Sequence, residues 1–147
     1  MRVLLDTNII ISALVTPSEN SPASLIIQAL FWQQFTLLLP QELREEIVKT
    51  VVEKKRLRKT VTISHIETMM TLLARQAEQM PPIGAKIPAV SRDPKDDYLP
   101  AYALVAKADY LVTGDKDLLV LKQVGQVKIL SPKDFVARLQ LQSRGEA

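Results

Sequence analysis

A chain of 147 residues, 47% of them hydrophobic and 24% charged, is long enough for one domain around one core and too apolar to remain unfolded. It holds no cysteine and a single histidine, His65. Thiolate zinc sites, cysteine nucleophiles, disulfides and two-histidine nuclease chemistry are therefore excluded. The formal charge of +3 tolerates a polyanionic partner without demanding one.

No apolar stretch approaches the roughly 20 residues of a membrane span, and Asp6 interrupts any signal-peptide core before it begins. A soluble, cytoplasmic protein with no membrane partner is expected. In chain order, residues 2–5 form an apolar run followed by Asp6-Thr7-Asn8, residue types that turn the chain and cap helices, so a strand leads into a helix over 9–14. Residues 16–22 are polar and turn-rich, a loop before a helix near 23–33. A second strand over 35–39 is followed by a helix opened by Pro40, with Leu43, Ile47 and Val51 on one stripe and a strongly basic end.

Ser64 and Glu67 have the capping-box spacing, and Met69, Met70, Leu73 and Ala77 keep helical spacing until Pro81-Pro82. A third strand is expected over 86–90, a helix over 96–108, a fourth strand over 110–113 broken by Gly114, and a fifth over 127–130. Ser131-Pro132 places a cap and a first-turn proline on the last helix. Strands alternating with helices imply crossovers and a mostly parallel sheet of about five strands, in one domain over 1–141 with a frayed tail over 142–147.

The acids fall in a pattern. Asp6 follows the first strand, Asp93, Asp96 and Asp97 follow the third, and Asp115 and Asp117 follow the fourth. Ligands of open α/β sheets bind outside the carboxyl ends of the strands, so these acids can converge. Converging carboxylates repel unless a cation neutralises them, and oxygen-only ligands select Mg²⁺ or Mn²⁺. Such an ion activates water and stabilises charge on a phosphodiester without Cys or His. A single Asp after a strand is commonly just a cap, and Asp97 and Asp117 are open to that reading. On the Pro40 helix, Glu46 lies nearest the apolar stripe, Glu42 is intermediate and Glu45 points away.

Taken together these segments resemble the PIN domain. The resemblance rests on Val3-Leu4-Leu5-Asp6-Thr7-Asn8, on the helix Pro40-Gln41-Glu42-Leu43-Arg44-Glu45-Glu46-Ile47, on Arg92-Asp93-Pro94-Lys95-Asp96-Asp97 with the small-residue helix after it, and on Leu111-Val112-Thr113-Gly114-Asp115-Lys116-Asp117-Leu118-Leu119. It implies a three-layer α/β/α sandwich. Within the family the chain is similar to prokaryotic toxin components of toxin–antitoxin systems, the VapC toxins. That likeness implies a Mg²⁺- or Mn²⁺-dependent endoribonuclease, a homodimer and a cognate antitoxin that blocks the site. The family's acids align with Asp6, Glu46, Asp96 and Asp115, with Asn8 and Thr113 orienting the acids or a metal-bound water. Pro40 departs from the Ser or Thr of many relatives. The partners of Asp6 stay open: Glu46 against Glu42, and Asp96 against Asp93 or Asp97.

For RNA, the densest basic run begins Lys54-Lys55-Arg56, and Lys116 adjoins Asp115. These residues suit phosphates, but Lys and Arg at a helix end also simply complement its dipole. Arg2 is open to either reading, and His65 reads as structural. A phosphatase with an Asp nucleophile would want a second Asp where Asn8 stands. A phospho-receiver would want an acidic pair after the first strand. The remaining rivals are a member of the family that binds RNA or antitoxin without cutting, and an RNA-processing nuclease that is not a toxin.

Overall fold

Val3, Leu4 and Leu5 are all but fully buried, as the two-sided burial of a central parallel strand requires. They belong to β1 (Arg2–Leu5). In the computed structural model, which describes residues 1–15, 20–55, 62–80 and 98–143, β1 has parallel neighbours on both sides. On one side β2 (Thr36–Pro40) aligns Leu38 with Leu4. On the other β4 (Tyr110–Val112) aligns Leu111 with Leu4.

The sheet extends beyond β2 to β3 (Ala77–Met80) and beyond β4 to β6 (Val127–Leu130), both parallel. The two-residue β5 (Gln123–Val124) runs antiparallel against β6. Gly125 turns this hairpin at φ +58°, where a Cβ would also meet Leu104. The sheet has six strands in the order β3-β2-β1-β4-β6-β5, against about five expected from sequence.

The helices are α1 (Thr7–Val15), α2 (Pro22–Phe31), α3 (Gln41–Lys55), α4 (Ile63–Gln76), α5 (Tyr98–Val105), the single-turn α6 (Lys116–Leu119) and α7 (Pro132–Ser143). Because parallel crossovers are right-handed, the excursions from β1 to β2 to β3 keep α1 to α4 on one face, and the return to β4 carries α5 to the other. α1 packs on α2 and α3, and α2 on α7. The expected α/β/α sandwich with a mostly parallel sheet is the observed fold. Among the described residues no helix is long and apolar enough to cross a membrane.

Caps explain several helix starts. Ser21 accepts from the Ser24 N–H at 3.2 Å, and Ser131 accepts from the Asp134 N–H at 3.1 Å with Pro132 first in the helix. Phe135 of α7 is completely buried, edge-on to Phe35 at 5.3 Å and tilted against Tyr110 at 6.0 Å. A fully buried side chain of this kind contributes about 1.5–3 kcal/mol, so α7 is stapled to the core.

Two expectations fail around α4. The cap is Thr62, whose hydroxyl accepts from the His65 N–H at 3.1 Å, so Ser64 lies inside the first turn. The helix ends at Gln76, where Ala77 turns extended at φ −99°, ψ 150°. Residues 77–80 are then drawn into the sheet by pairing with 37–40 of β2, an interaction that helical spacing cannot report. The strand expected over 86–90 lies outside the described residues.

Candidate active site

The chain runs from β1 outward to β3, then returns to the other side of β1 at β4. The carboxyl ends of β1 and β4 therefore flank the point where strand order reverses, the position at which open α/β sheets form a ligand crevice. Asp6 leaves β1 there, its N–H still donating to the Val112 carbonyl at 2.9 Å. Thr113 leaves β4 there, its N–H donating to the Leu130 carbonyl at 3.0 Å.

Thr113 is completely buried and Asp6 nearly so. The Thr113 hydroxyl donates to Asp6 Oδ2 at 2.7 Å and accepts from the Asp115 N–H at 3.0 Å. Asp6 Oδ1 accepts from the Asn8 N–H at 3.3 Å and faces the Thr7 hydroxyl at 3.4 Å. A carboxylate this buried is tolerable only because donors surround it. Asp6 thus performs the capping role open to any Asp after a strand, and is held by a second element as well.

Leu43, Ile47 and Val51 are buried along α3, which fixes the rotation of that helix. Glu46, one residue before Ile47, is exposed, yet its Oε1 lies 3.4 Å from the Thr7 hydroxyl. The charge of Glu42 acts on Tyr102: burial first, then the charges of Glu42 and Glu78, push that phenol up to about 12. Glu45 accepts from the Gln41 amide at 3.1 Å, away from the crevice.

Asp115 is half-buried and caps α6, accepting from the Asp117 N–H at 2.9 Å. Asp117 is exposed in the first turn of α6, and so is Lys116. Asn8 reaches Asp6 through its main-chain N–H. Asp93, Asp96 and Asp97 lie outside the described residues, as does Arg56. Lys54 and Lys55 end α3, about 12 Å along the helix axis from Glu46 at the usual rise per residue. Arg2 stands at the opposite end of β1, where its guanidinium pairs with Glu78 and donates to the Ala106 carbonyl. That leaves it no place in the crevice.

Thr7 was not singled out from the sequence as a site residue. It is 5% exposed, between Asp6 and Glu46. The only signal was its place inside the Asp-Thr-Asn triplet. Among the described residues no group of three or more Asp, Glu, His or Cys could hold a metal ion. Two carboxylates reaching one hydroxyl, with a third acid joined through Thr113, offer oxygen donors only, and that donor chemistry fits a hard divalent cation.

A mostly parallel sheet with two carboxylates meeting one threonine hydroxyl at its switch point defines an α/β protein with an acidic crevice. A PIN-domain profile matches residues 2–117, and the chain belongs to the PIN-domain family. PIN domains are generally metal-dependent nucleases, which makes this chain a hydrolase at that level. No curated protein matches the chain. The matched span includes Asp6, Glu46, Asp96 and Asp115 and ends before β5, β6 and α7.

Proposed function

We propose that the protein is a Mg²⁺- or Mn²⁺-dependent endoribonuclease, the toxin of a type II toxin–antitoxin pair, acting in the cytoplasm. The observation that carries the nuclease reading is the convergence of Asp6 with Thr113 and the Asp115 main chain at the switch point, with Glu46 one hydroxyl away. Asp6, Glu46 and Asp115, with Asp96 by resemblance to the family, are the residues that would hold the cation. When bound, the ion supplies an activated water and a counter-charge for the phosphodiester.

The chain's own part is to orient and to bind. Thr113 fixes one Asp6 oxygen by hydrogen bonding and leaves the other facing Glu46 through Thr7. The exposed Lys116, next to Asp115, suits a backbone phosphate of the RNA, and the Lys54, Lys55 and Arg56 run suits phosphates further along the strand. The toxin role, the homodimer and the antitoxin follow from the likeness to VapC toxins. Purified protein freed of any partner is expected to cleave single-stranded RNA with Mn²⁺, and Asp6→Asn to abolish cleavage while circular dichroism stays unchanged. Cleavage that persists in that variant, or under chelation, defeats the reading.

A further inference from the structure

Thr7 is 5% exposed at the first position of α1. A valine would fill the same space without a polar atom, and burying a hydroxyl is unfavourable unless it is hydrogen-bonded. The hydrogen-bond partners of this hydroxyl are two carboxylate oxygens, Asp6 Oδ1 and Glu46 Oε1, each at 3.4 Å. One belongs to the end of β1, the other to α3, 39 positions away. A hydroxyl carries one proton, so it donates to either carboxylate in turn and holds both within reach of a single point.

Glu46 is otherwise exposed, and a free glutamate samples many rotamers whose loss opposes any ordered geometry. Asp6 needs no such help, being already fixed by Thr113 and the Asn8 N–H. Because threonine is β-branched, its own χ1 is restricted, so the hydroxyl is a stiff post rather than a flexible arm. α1 and α3 pack on one another, which carries Glu46 to that post.

We propose that Thr7 is a positioning residue that draws Glu46 of α3 toward Asp6 and thereby sets the spacing of the two carboxylates that receive the divalent cation. The proposal rests on the metal-dependent reading above. Thr7 does not touch the RNA or the reacting atoms; it acts through Glu46.

The test compares wild type, Thr7→Val, Thr7→Ser and Asp6→Asn by titrating Mn²⁺ and following free Mn²⁺ by electron paramagnetic resonance, alongside RNA cleavage kinetics. Circular dichroism verifies that each variant is folded. Thr7→Val is expected to weaken Mn²⁺ binding about tenfold, the lower end of the usual cost of losing a group that orients a metal ligand. It should also lower kcat with the KM for RNA unchanged, and Thr7→Ser should recover most of the affinity. Wild-type Mn²⁺ binding by Thr7→Val overturns the proposal, and so does a Thr7→Ser protein as weak as Thr7→Val, since restoring the hydroxyl would then not restore the site. Undiminished Mn²⁺ binding by Asp6→Asn instead overturns the metal-site reading itself, and the Thr7 proposal with it.

Discussion

Thr113 Oγ1 donates to Asp6 Oδ2 at 2.7 Å across 107 positions of sequence, and both groups are buried. One hydroxyl thereby links the ends of β1 and β4 and, by accepting the Asp115 N–H, the start of α6. Thr113→Val keeps the shape and removes both bonds. A hydrogen bond to a charged group is worth about 1.5–3 kcal/mol, so the metal-free variant should lose stability on that scale in urea, and RNA cleavage should fall with it. Thr113→Ser should retain both properties. A valine variant as stable and as active as wild type would make the hydroxyl a bystander.

Glu46 and Asp6 are two carboxylates facing one donor, and without a cation they repel. Because Glu46 is exposed, solvent screens that repulsion. Glu46→Gln should therefore raise the metal-free melting temperature by a few degrees at most, while shrinking the further rise that Mn²⁺ produces by binding the native state. Opposite signs in the two measurements are the signature of a ligand. Glu45→Gln, one residue away and bonded to Gln41, should change neither. A Glu46→Gln protein with an undiminished Mn²⁺-induced shift would remove Glu46 from the site.

Asp6 was legible in the sequence because it ends the apolar run Val3-Leu4-Leu5 with a turn-forming residue, and Thr113 through the family's Thr113-Gly114-Asp115 motif, where Gly114 breaks the strand. Rotation about α3 was legible too, since Leu43, Ile47 and Val51 mark its buried side and place Glu46 beside it. Thr7 was not, because one of its two partners belongs to another element. β3 was hidden for a related reason: Ala77 continues the spacing of Met70 and Leu73, and only pairing with β2 makes it extended. The cap of α4 was ambiguous locally, as Thr62 with His65 has the same i, i+3 relation as Ser64 with Glu67. Where the helix begins is decided by the backbone, not by which hydroxyl is available.

Tyr102 carries a pH dependence whose sign is fixed by its surroundings. Burial, then the charges of Glu42 and Glu78, raise its phenol from 10.0 to about 12. The folded state therefore holds that proton more tightly than the unfolded state. The stability it contributes is fully present below about pH 10 and is lost as pH rises through about 12. An ultraviolet titration of the folded protein should show a tyrosine ionising near pH 12, and Tyr102→Phe should delete that phase. A Tyr102→Phe protein whose titration matches that of wild type would contradict the burial of Tyr102.

The basic run at the end of α3 has two readings that salt separates. If Lys54, Lys55 and Arg56 meet phosphates, neutralising all three should weaken RNA binding and flatten its dependence on salt, by roughly 0.7 per lost contact in the log–log slope for a single strand. If they merely complement the helix dipole, RNA binding and its salt slope should stay unchanged while melting temperature falls slightly. Binding measured by fluorescence anisotropy at several salt concentrations, with an inactive Asp6→Asn background to prevent cleavage, discriminates the two.

Phe135 tests where the domain ends. The family match stops at residue 117, but Phe135 of α7 is completely buried against Phe35 and Tyr110, and β6 pairs with β4 directly beside the crevice. Residues beyond the match are therefore part of the same core rather than an appendage. Phe135→Ala should cost about 3–5 kcal/mol, read as a shift of the urea midpoint with an unchanged slope and a single transition. An early separate transition, leaving the Asp6 crevice active above it, would show that α7 folds apart from the site. The expected result is one transition, because the Thr113 N–H that anchors the site is itself bonded to Leu130 at the end of β6.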